Sequence, residues 1–502
     1  MSSIRMALLL FIAMLLAFVA FQPSSTDASA PAMQPLAPDW DPACYSTYPQ
    51  LESFLQAKAT QYPTIASLMD GGLAWEGTRH VYALRLGSNL LPGPKPTILL
   101  VAGHHPRDIA TTEMLLRLVT YLTQSYGSDP DTTWLLDNRT VVALPLANPD
   151  GYHQVYTNGL NQFKNRNNTY CAGSNNRGAD INRNYPFQWN TVGSSGLPCD
   201  LSYPGSAALS EPESSAVLSL FVGLGTDLVL NLQAPGTRIL YPWGYSAAPP
   251  ADASGLYALG WAMGRRNGTP AVEVRTHHSV LPISGTIDDT AYSMGVPAYT
   301  LNIGPGLSPT CSEVDVLWSA QRPAFLYALK AAGLSAPTTL SRAFGPDVTS
   351  VSMSQPAQDS VQVSGVLSAN YGTVAGAVYY LDEPGADGSG TPMLGNFGGG
   401  TAVVSATVDT ASLPDGRHLV MLQGLNNAGQ WGVLSSVFFT VTNPPTATPS
   451  ATHSPTRTTT ATAVASSTVA ATPTGQSTSA ASHTPAVTPT ASLTRTPTTP
   501  PT

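Results

Sequence analysis

An α/β domain, an all-β sandwich and a structureless tail, in that order, are what the sequence predicts. Three observations carry this. Between residues 38 and 335, apolar runs of strand length alternate with amphipathic stretches of helical period. Between residues 346 and 442 the runs are short, rich in β-branched and aromatic residues, and punctuated by Gly, Pro, Asn and Asp. From residue 443 to residue 502 the chain is almost wholly Thr, Pro, Ser and Ala.

The first 30 residues read differently from all of these. Arg5 precedes the apolar run "ALLLFIAMLLAFVAF" (Ala7–Phe21), and small residues "ASA" follow at Ala28–Ala30. This is the layout of a secretory signal peptide, and the run is short for a bilayer span. A retained anchor is the rival reading, and Pro31 directly after "ASA" leaves the cleavage point open. No other segment is apolar enough to cross a membrane, so no span is expected once the signal is removed. The expectation is a secreted, extracellular protein.

In the α/β zone, "LESFLQAKATQY", "TTEMLLRLVTYLTQ" and "EPESSAVLSLFVGL" have helical spacing, whereas "HVYALRL", "TILLVAG", "TVVALPLA" and "DLVLNLQ" are strand-like. Alternation of the two implies a sheet with helices on both faces. In the next zone "SVQVSGVLS", "AGAVYYLDE", "TAVVSATVD", "RHLVMLQGL" and "VLSSVFFTV" are separated by turn-rich segments such as "EPGADGSG" and "LPDG", a sandwich pattern. It resembles the immunoglobulin-like or fibronectin-type modules of exported proteins. The tail, with Arg457 and Arg495 as its only charged side chains, cannot bury a core and is expected to be an extended stalk. A stalk would suit cell-surface or cell-wall association. The formal net charge of −8 and a charged fraction of only 10% leave no basic footprint, which argues against nucleic acid as a partner. Four Cys in a chain bound for export read as disulfides, and their spacing is not that of zinc ligands.

The stretch "AGHHPRDIATTEM" (Ala102–Met114) places a His and an acid three residues apart just before a helix. Alone, such a pair is a weak signal. Its surroundings are more specific. "ALPLANPDGY", "GADINRNYPFQW", "PCDLSYPGSAALSEPES", "RILYPWGY" and "LPISGTIDDTAYSMGVPAYTLNI" follow in order. Together these blocks resemble the zinc carboxypeptidases, the carboxypeptidase A/B family. The resemblance implies a mixed, twisted sheet of about eight strands flanked by helices. It also implies a Cys171–Cys199 disulfide, which leaves Cys44 and Cys311 as the other pair.

A hydrolase of this kind needs three zinc ligands and an open position for water, a carboxylate base, a cation for the oxyanion, and a clamp for the substrate's terminal carboxylate. The resemblance assigns His105 as the first ligand. Asp108 falls where the family has Glu, and Gln233 where it has a second His. His80, His104, His153, His277 and His278 are the other histidines of this domain, and none lies on the strand of Gln233. The general-base position holds Asn302, which cannot carry a proton back and forth. The position of the Tyr that closes over substrate falls near Leu281. The oxyanion cation corresponds to Lys164, or to Arg166 in a shifted register, and another register puts Phe163 there. Asn182 and Arg183 match the carboxylate clamp, although Arg183 would equally suit a buried salt bridge. Asp288 falls at the position that sets side-chain preference. On a pocket floor it would favour Lys or Arg, and otherwise it would cap a turn.

The expectation is therefore an exported member of this family with an impaired catalytic set that binds peptide or protein C-termini without cutting them. Two rivals stand beside it: an active metallocarboxypeptidase with zinc in an atypical His–Asp–Gln site, and a structural or adhesive surface protein with a vestigial pocket and no cofactor.

Overall fold

The computed structural model describes residues 44–91, 93–158, 162–269, 271–307, 309–357 and 359–442. The signal-peptide and tail expectations lie outside them. Helix α1 (Tyr48–Gln61) leads into β1 (Ala66–Leu73), β2 (His80–Leu86) and β3 (Thr97–Val101). Then come α2 (Ile109–Ser125), α3 (Pro130–Asn138), β4 (Thr140–Leu144), α4 (Pro149–Asn158) and a 3-10 turn at Ile181–Arg183. The domain continues through α5 (Pro212–Gly223), β5 (Leu228–Gln233), β6 (Arg238–Tyr241), α6 (Ala253–Arg266), β7 (Glu273–Thr276) and the short α7 (His277–Val280). It ends with α8 (Ile287–Ser293), β8 (Ala298–Asn302), α9 (Cys311–Ala331) and α10 (Ala336–Arg342).

The strands form one eight-stranded mixed sheet, ordered β1-β2-β4-β3-β5-β8-β6-β7. Its centre, β4-β3-β5-β8, is parallel, and antiparallel pairs lie to either side. Every residue of β3 is buried, as expected for a central parallel strand covered on both faces. Alternate residues go to opposite faces. Ile98 and Leu100 join a core that includes Leu115 of α2, Leu259 of α6 and Phe325 of α9, while Leu99 and Val101 join one built with Val217 of α5 and Ile287 of α8. From β3 the chain passes to β4 on one side and returns to β5 on the other. Such a reversal opens a crevice at the carboxyl ends of the strands, where ligands bind in open α/β sheets.

Disulfides join Cys44 to Cys311 and Cys171 to Cys199. Residues 347–441 form two four-stranded sheets, β13-β14-β10-β9 and β12-β11-β15-β16, from β9 (Asp347–Ala357), β10 (Ser360–Ser368), β11 (Val374–Leu381), β12 (Thr391–Pro392), β13 (Leu394–Gly395), β14 (Thr401–Asp409), β15 (Gly416–Asn426) and β16 (Ser435–Val441). Strand β10 alternates buried and less buried residues. Its Val361, Val363 and Leu367 meet Val374, Val420 and Leu422 of the facing sheet, which makes this a sandwich. Val378, Tyr380, Met421 and Leu434 of the sandwich are part of the α/β domain's own core. Polar links cross the same boundary. Asp131 accepts from the Ser436 amide at 2.7 Å, and Lys330 donates to the Ser435 hydroxyl at 3.1 Å. Arg342 grips Asp387 through two nitrogens at 3.0 and 3.1 Å. The sandwich and the α/β domain form one compact unit.

Candidate functional site

The site residues project from the carboxyl ends of β3, β5 and β8. After β3 the backbone turns at Gly103, where φ is +66° and an added Cβ would lie 2.7 Å from the Leu146 side chain. Only glycine fits that turn. The Asp108 amide then donates to the His105 carbonyl at 3.0 Å, so the chain curls and brings the two side chains together. His105 Nδ1 lies 3.6 Å from Asp108 Oδ2, and that oxygen also accepts from the Ala234 amide just past β5 at 3.0 Å. The opposite ring nitrogen, Nε2, lies 3.2 Å from Asp180 Oδ1. A histidine whose far nitrogen is held by a carboxylate has the orientation of a metal-binding His. Burial opposes charge on the His105 ring, but the flanking Asp180 and Asp108 outweigh it and raise its pKa to about 9. The same pairing holds Asp180 below its usual value in spite of burial.

The third-ligand and base positions are neighbours. Gln233 ends β5 and Asn302 ends β8, directly paired in the parallel ladder. The Gln233 Nε2 is buried without a hydrogen bond. Among the described residues, no three His, Cys, Asp or Glu side chains converge on a point that one ion could occupy. An imidazole, a short carboxylate and an amide make a poor zinc set, since a neutral amide oxygen is a weak donor. These donors do not fit the family's zinc ligands.

The structure places Phe163, rather than Lys164, beside His105. The two rings stack with centroids 4.1 Å apart, and the Arg107 guanidinium lies 4.5 Å over the Phe163 ring. Lys164 donates to the Pro198 and Asp200 carbonyls at 2.7 and 2.9 Å, bracing the loop that carries Cys199. Burial lowers its pKa to about 8. Arg166 is bonded to Gln162 and lies 3.7 Å from Glu76. Leu281 caps the end of α7 and is half exposed.

The clamp segment is the best-organised wall. Asp180 caps the 3-10 turn through the Asn182 amide and takes the Arg183 Nε at 2.8 Å, while Arg183 Nη1 donates to the Gly193 carbonyl at 2.6 Å. Arg183 therefore has its salt bridge. Asn182 does not share in it: both polar atoms of its side chain are buried with no partner. Asp288 lies in the first turn of α8, fully buried, with Oδ2 2.9 Å from His277 Nδ1 and Oδ1 unpartnered.

Two features escaped sequence reasoning. Asp180 bridges the His105 and Arg183 halves of the site; it stood inside the "GADINRN" block but only its neighbours were given roles. Beneath the floor runs a buried chain: Thr300 Oγ1 accepts from Asn231, whose Oδ1 lies 3.0 Å from His104 Nδ1, and His104 Nε2 lies 2.7 Å from the Tyr185 hydroxyl. Burial, helped by the charge of His105, lowers the His104 pKa to about 3. Nothing in the local sequence signals that chain, because its members come from four separate segments.

A profile of the zinc carboxypeptidase family matches residues 51–320. The chain is 32% identical over 279 residues to a carboxypeptidase B of Helicoverpa zea, covering 53% of this chain and 64% of that protein. It is 30% identical over 272 residues to a carboxypeptidase B of Astacus astacus, covering 53% of this chain and 86% of that one. The crystal structure of a carboxypeptidase A from Helicoverpa armigera superposes with a TM-score of 0.52 at 26% identity, over 59% of this chain and 74% of that chain. The chain belongs to the zinc carboxypeptidase family, and it spans under two thirds of the length of its Helicoverpa zea relative.

Proposed function

We propose that this protein is an exported, non-hydrolytic member of the family that binds the C-termini of peptides or proteins, or ligands bearing an equivalent carboxylate. The observation that carries the reading is Asn182: an amide with both polar atoms buried and unpartnered, next to Arg183. Leaving a buried polar group unpaired costs about 1–3 kcal/mol, and a terminal carboxylate arriving beside Arg183 would satisfy the amide donor. The other half of the argument is chemical. With Gln233 and Asn302 at the third-ligand and base positions, those positions supply neither a zinc set of the family's kind nor the carboxylate the family uses to take a proton from water. The family's zinc would supply water activation if bound.

The test uses the full chain. Peptides with free and with amidated C-termini are titrated calorimetrically, and metal is measured after dialysis against trace zinc. Binding of free but not amidated ends, no stoichiometric zinc and uncut peptide are expected. One zinc per chain with release of C-terminal residues would overturn the proposal in favour of an active enzyme. A specific observation favours that second reading: the Asp180–His105–Asp108 alignment keeps the ring in a metal-binding orientation.

A further inference from the structure

We infer that His277 is a specificity-determining residue of this cleft: paired as a cation with one oxygen of Asp288, it withholds that carboxylate from cationic C-terminal side chains until it loses its proton. The inference rests on the C-terminus-binding reading above and says which termini are taken, and when.

The geometry is that of a half-used carboxylate. His277 opens α7 and Asp288 lies in the first turn of α8, so the pair bridges the two ends of the loop at 281–286. That loop lies against the clamp segment. The Tyr185 amide donates to the Gly285 carbonyl at 2.9 Å, and the amides of Thr191 and Val192 donate to Ser284 Oγ at 3.1 Å. Asp288 thus belongs to the same wall as Asn182 and Arg183. Both members of the pair are buried, with His277 3% exposed and Asp288 fully enclosed. A purely structural ion pair would be expected to satisfy both carboxylate oxygens. Here Oδ2 takes the imidazole and Oδ1 has no partner.

The electrostatics follow from the neighbours. Burial works against a charged His277, but the Asp288 charge and hydrogen bond prevail and hold its pKa above the ordinary histidine value, with Asp289 adding to them and Arg183 opposing. Both directions favour the charged pair, an imidazolium against a carboxylate. Its free oxygen suits a neutral hydrogen-bond donor better than a second cation. A Lys or Arg side chain at Asp288 must compete with the imidazolium, and its arrival expels the His277 proton. By reciprocity, raising the pH removes that proton first and strengthens cation binding. Asp289, held by the amides of Gly244 and Tyr245, has its own pKa raised to about 7 by burial and by Asp288. Its titration is common to the parent and to a His277 variant, so the variant isolates His277.

The experiment titrates the full chain with otherwise identical peptides ending in Lys or in Leu, at about pH 6 and about pH 9, in buffers of differing ionisation enthalpy. For the parent, affinity for the Lys-ended peptide relative to the Leu-ended one should rise about tenfold or more with pH, the scale of one hydrogen bond between charged groups gained. At the lower pH, binding of the Lys-ended peptide should release a proton to buffer. In His277→Gln, which keeps a neutral donor, the ratio should be higher than the parent's at the lower pH and should rise less with pH, the remaining rise being that of Asp289. Asp289 is the other group beside Asp288 that could release a proton, so the count is repeated on Asp289→Asn, and release that persists there decides the matter if His277→Gln fails to fold. Leu-ended binding together with a parental Lys/Leu ratio that ignores pH, or with no proton release, would overturn the role of His277 and leave the C-terminus-binding reading standing. Failure of both peptides to bind would overturn the two together.

Discussion

On one wall of the cleft, Asp180, Asn182 and Arg183 occupy the "GADINRN" segment, which resembles the family's carboxylate clamp and is braced by hydrogen bonds from Asp180 and Arg183. On the floor, at the ends of β5 and β8, two amides, Gln233 and Asn302, stand at positions that in this family's pattern belong to a His and a Glu. The backbone under both regions is equally regular. The difference lies wholly in side-chain chemistry, and it separates two capacities that a hydrolase combines: holding a carboxylate and activating water. A fold can keep the first without the second, because the clamp needs only donors, whereas catalysis needs a metal set and a titrating base together.

The comparison can be broken most forcefully by restoring the floor. In a chain carrying Asp108→Glu, Gln233→His and Asn302→Glu, zinc retained after dialysis should rise to one per chain, and peptide hydrolysis should rise by about 10²–10⁴ or more from the base alone. Equal zinc in parent and variant would show that the floor was never deficient. On the wall, Arg183→Ala should abolish peptide binding and lower stability by about 3 kcal/mol in urea unfolding, the low end for breaking a buried ion pair, since Asp180 keeps His105. A control lies between the regions. Lys164→Met should cost about 1.5 kcal/mol, the scale of hydrogen bonds from a charged group, and leave peptide affinity unchanged; weakened binding would restore Lys164 to the site. The smallest effect sharpens the argument most. Asn182→Ala should weaken binding about tenfold, or about 1.4 kcal/mol, with stability unchanged or slightly raised, because the lost amide had no partner to lose. A clear loss of stability would mean that Asn182 serves the fold.

Much of this was legible in the sequence. The continuous apolar run "TILLV" reads as a strand buried on both faces, and that is β3. The mixed sheet and the Cys171–Cys199 bond follow from the ordered blocks that resemble the family, and Cys44–Cys311 from the two cysteines that remain. His105 and Asp108 could be placed together because three residues and a turn suffice to join them. Lys164 shows where such reasoning stops. A rare cation beside the right motif drew the oxyanion role, yet the direction of its side chain is set by the Pro198 and Asp200 carbonyls, about thirty-five residues downstream. The His277–Asp288 pair was invisible for the same reason: each residue had a bland reading, and only the packing of α7 against α8 joins them. The zone change near residue 346 is real in composition, but the energetics ignore it. Asp131, Lys330 and Arg342 find partners beyond it in Ser436, Ser435 and Asp387, so a chain cut at that point would remove those partners and bare an apolar face.

The Cys44–Cys311 bond has a consequence for how this protein meets proteases. It spans 267 residues and encloses nearly the whole α/β domain in a covalent ring. A single cut anywhere inside that ring leaves one molecule, with every strand of the eight-stranded sheet still tethered to its neighbours. Such nicked chains would run as intact on a gel without reductant and fall into two bands with it. For a molecule whose proposed task is to hold the ends of other chains, the arrangement means that damage to its own backbone need not end its working life.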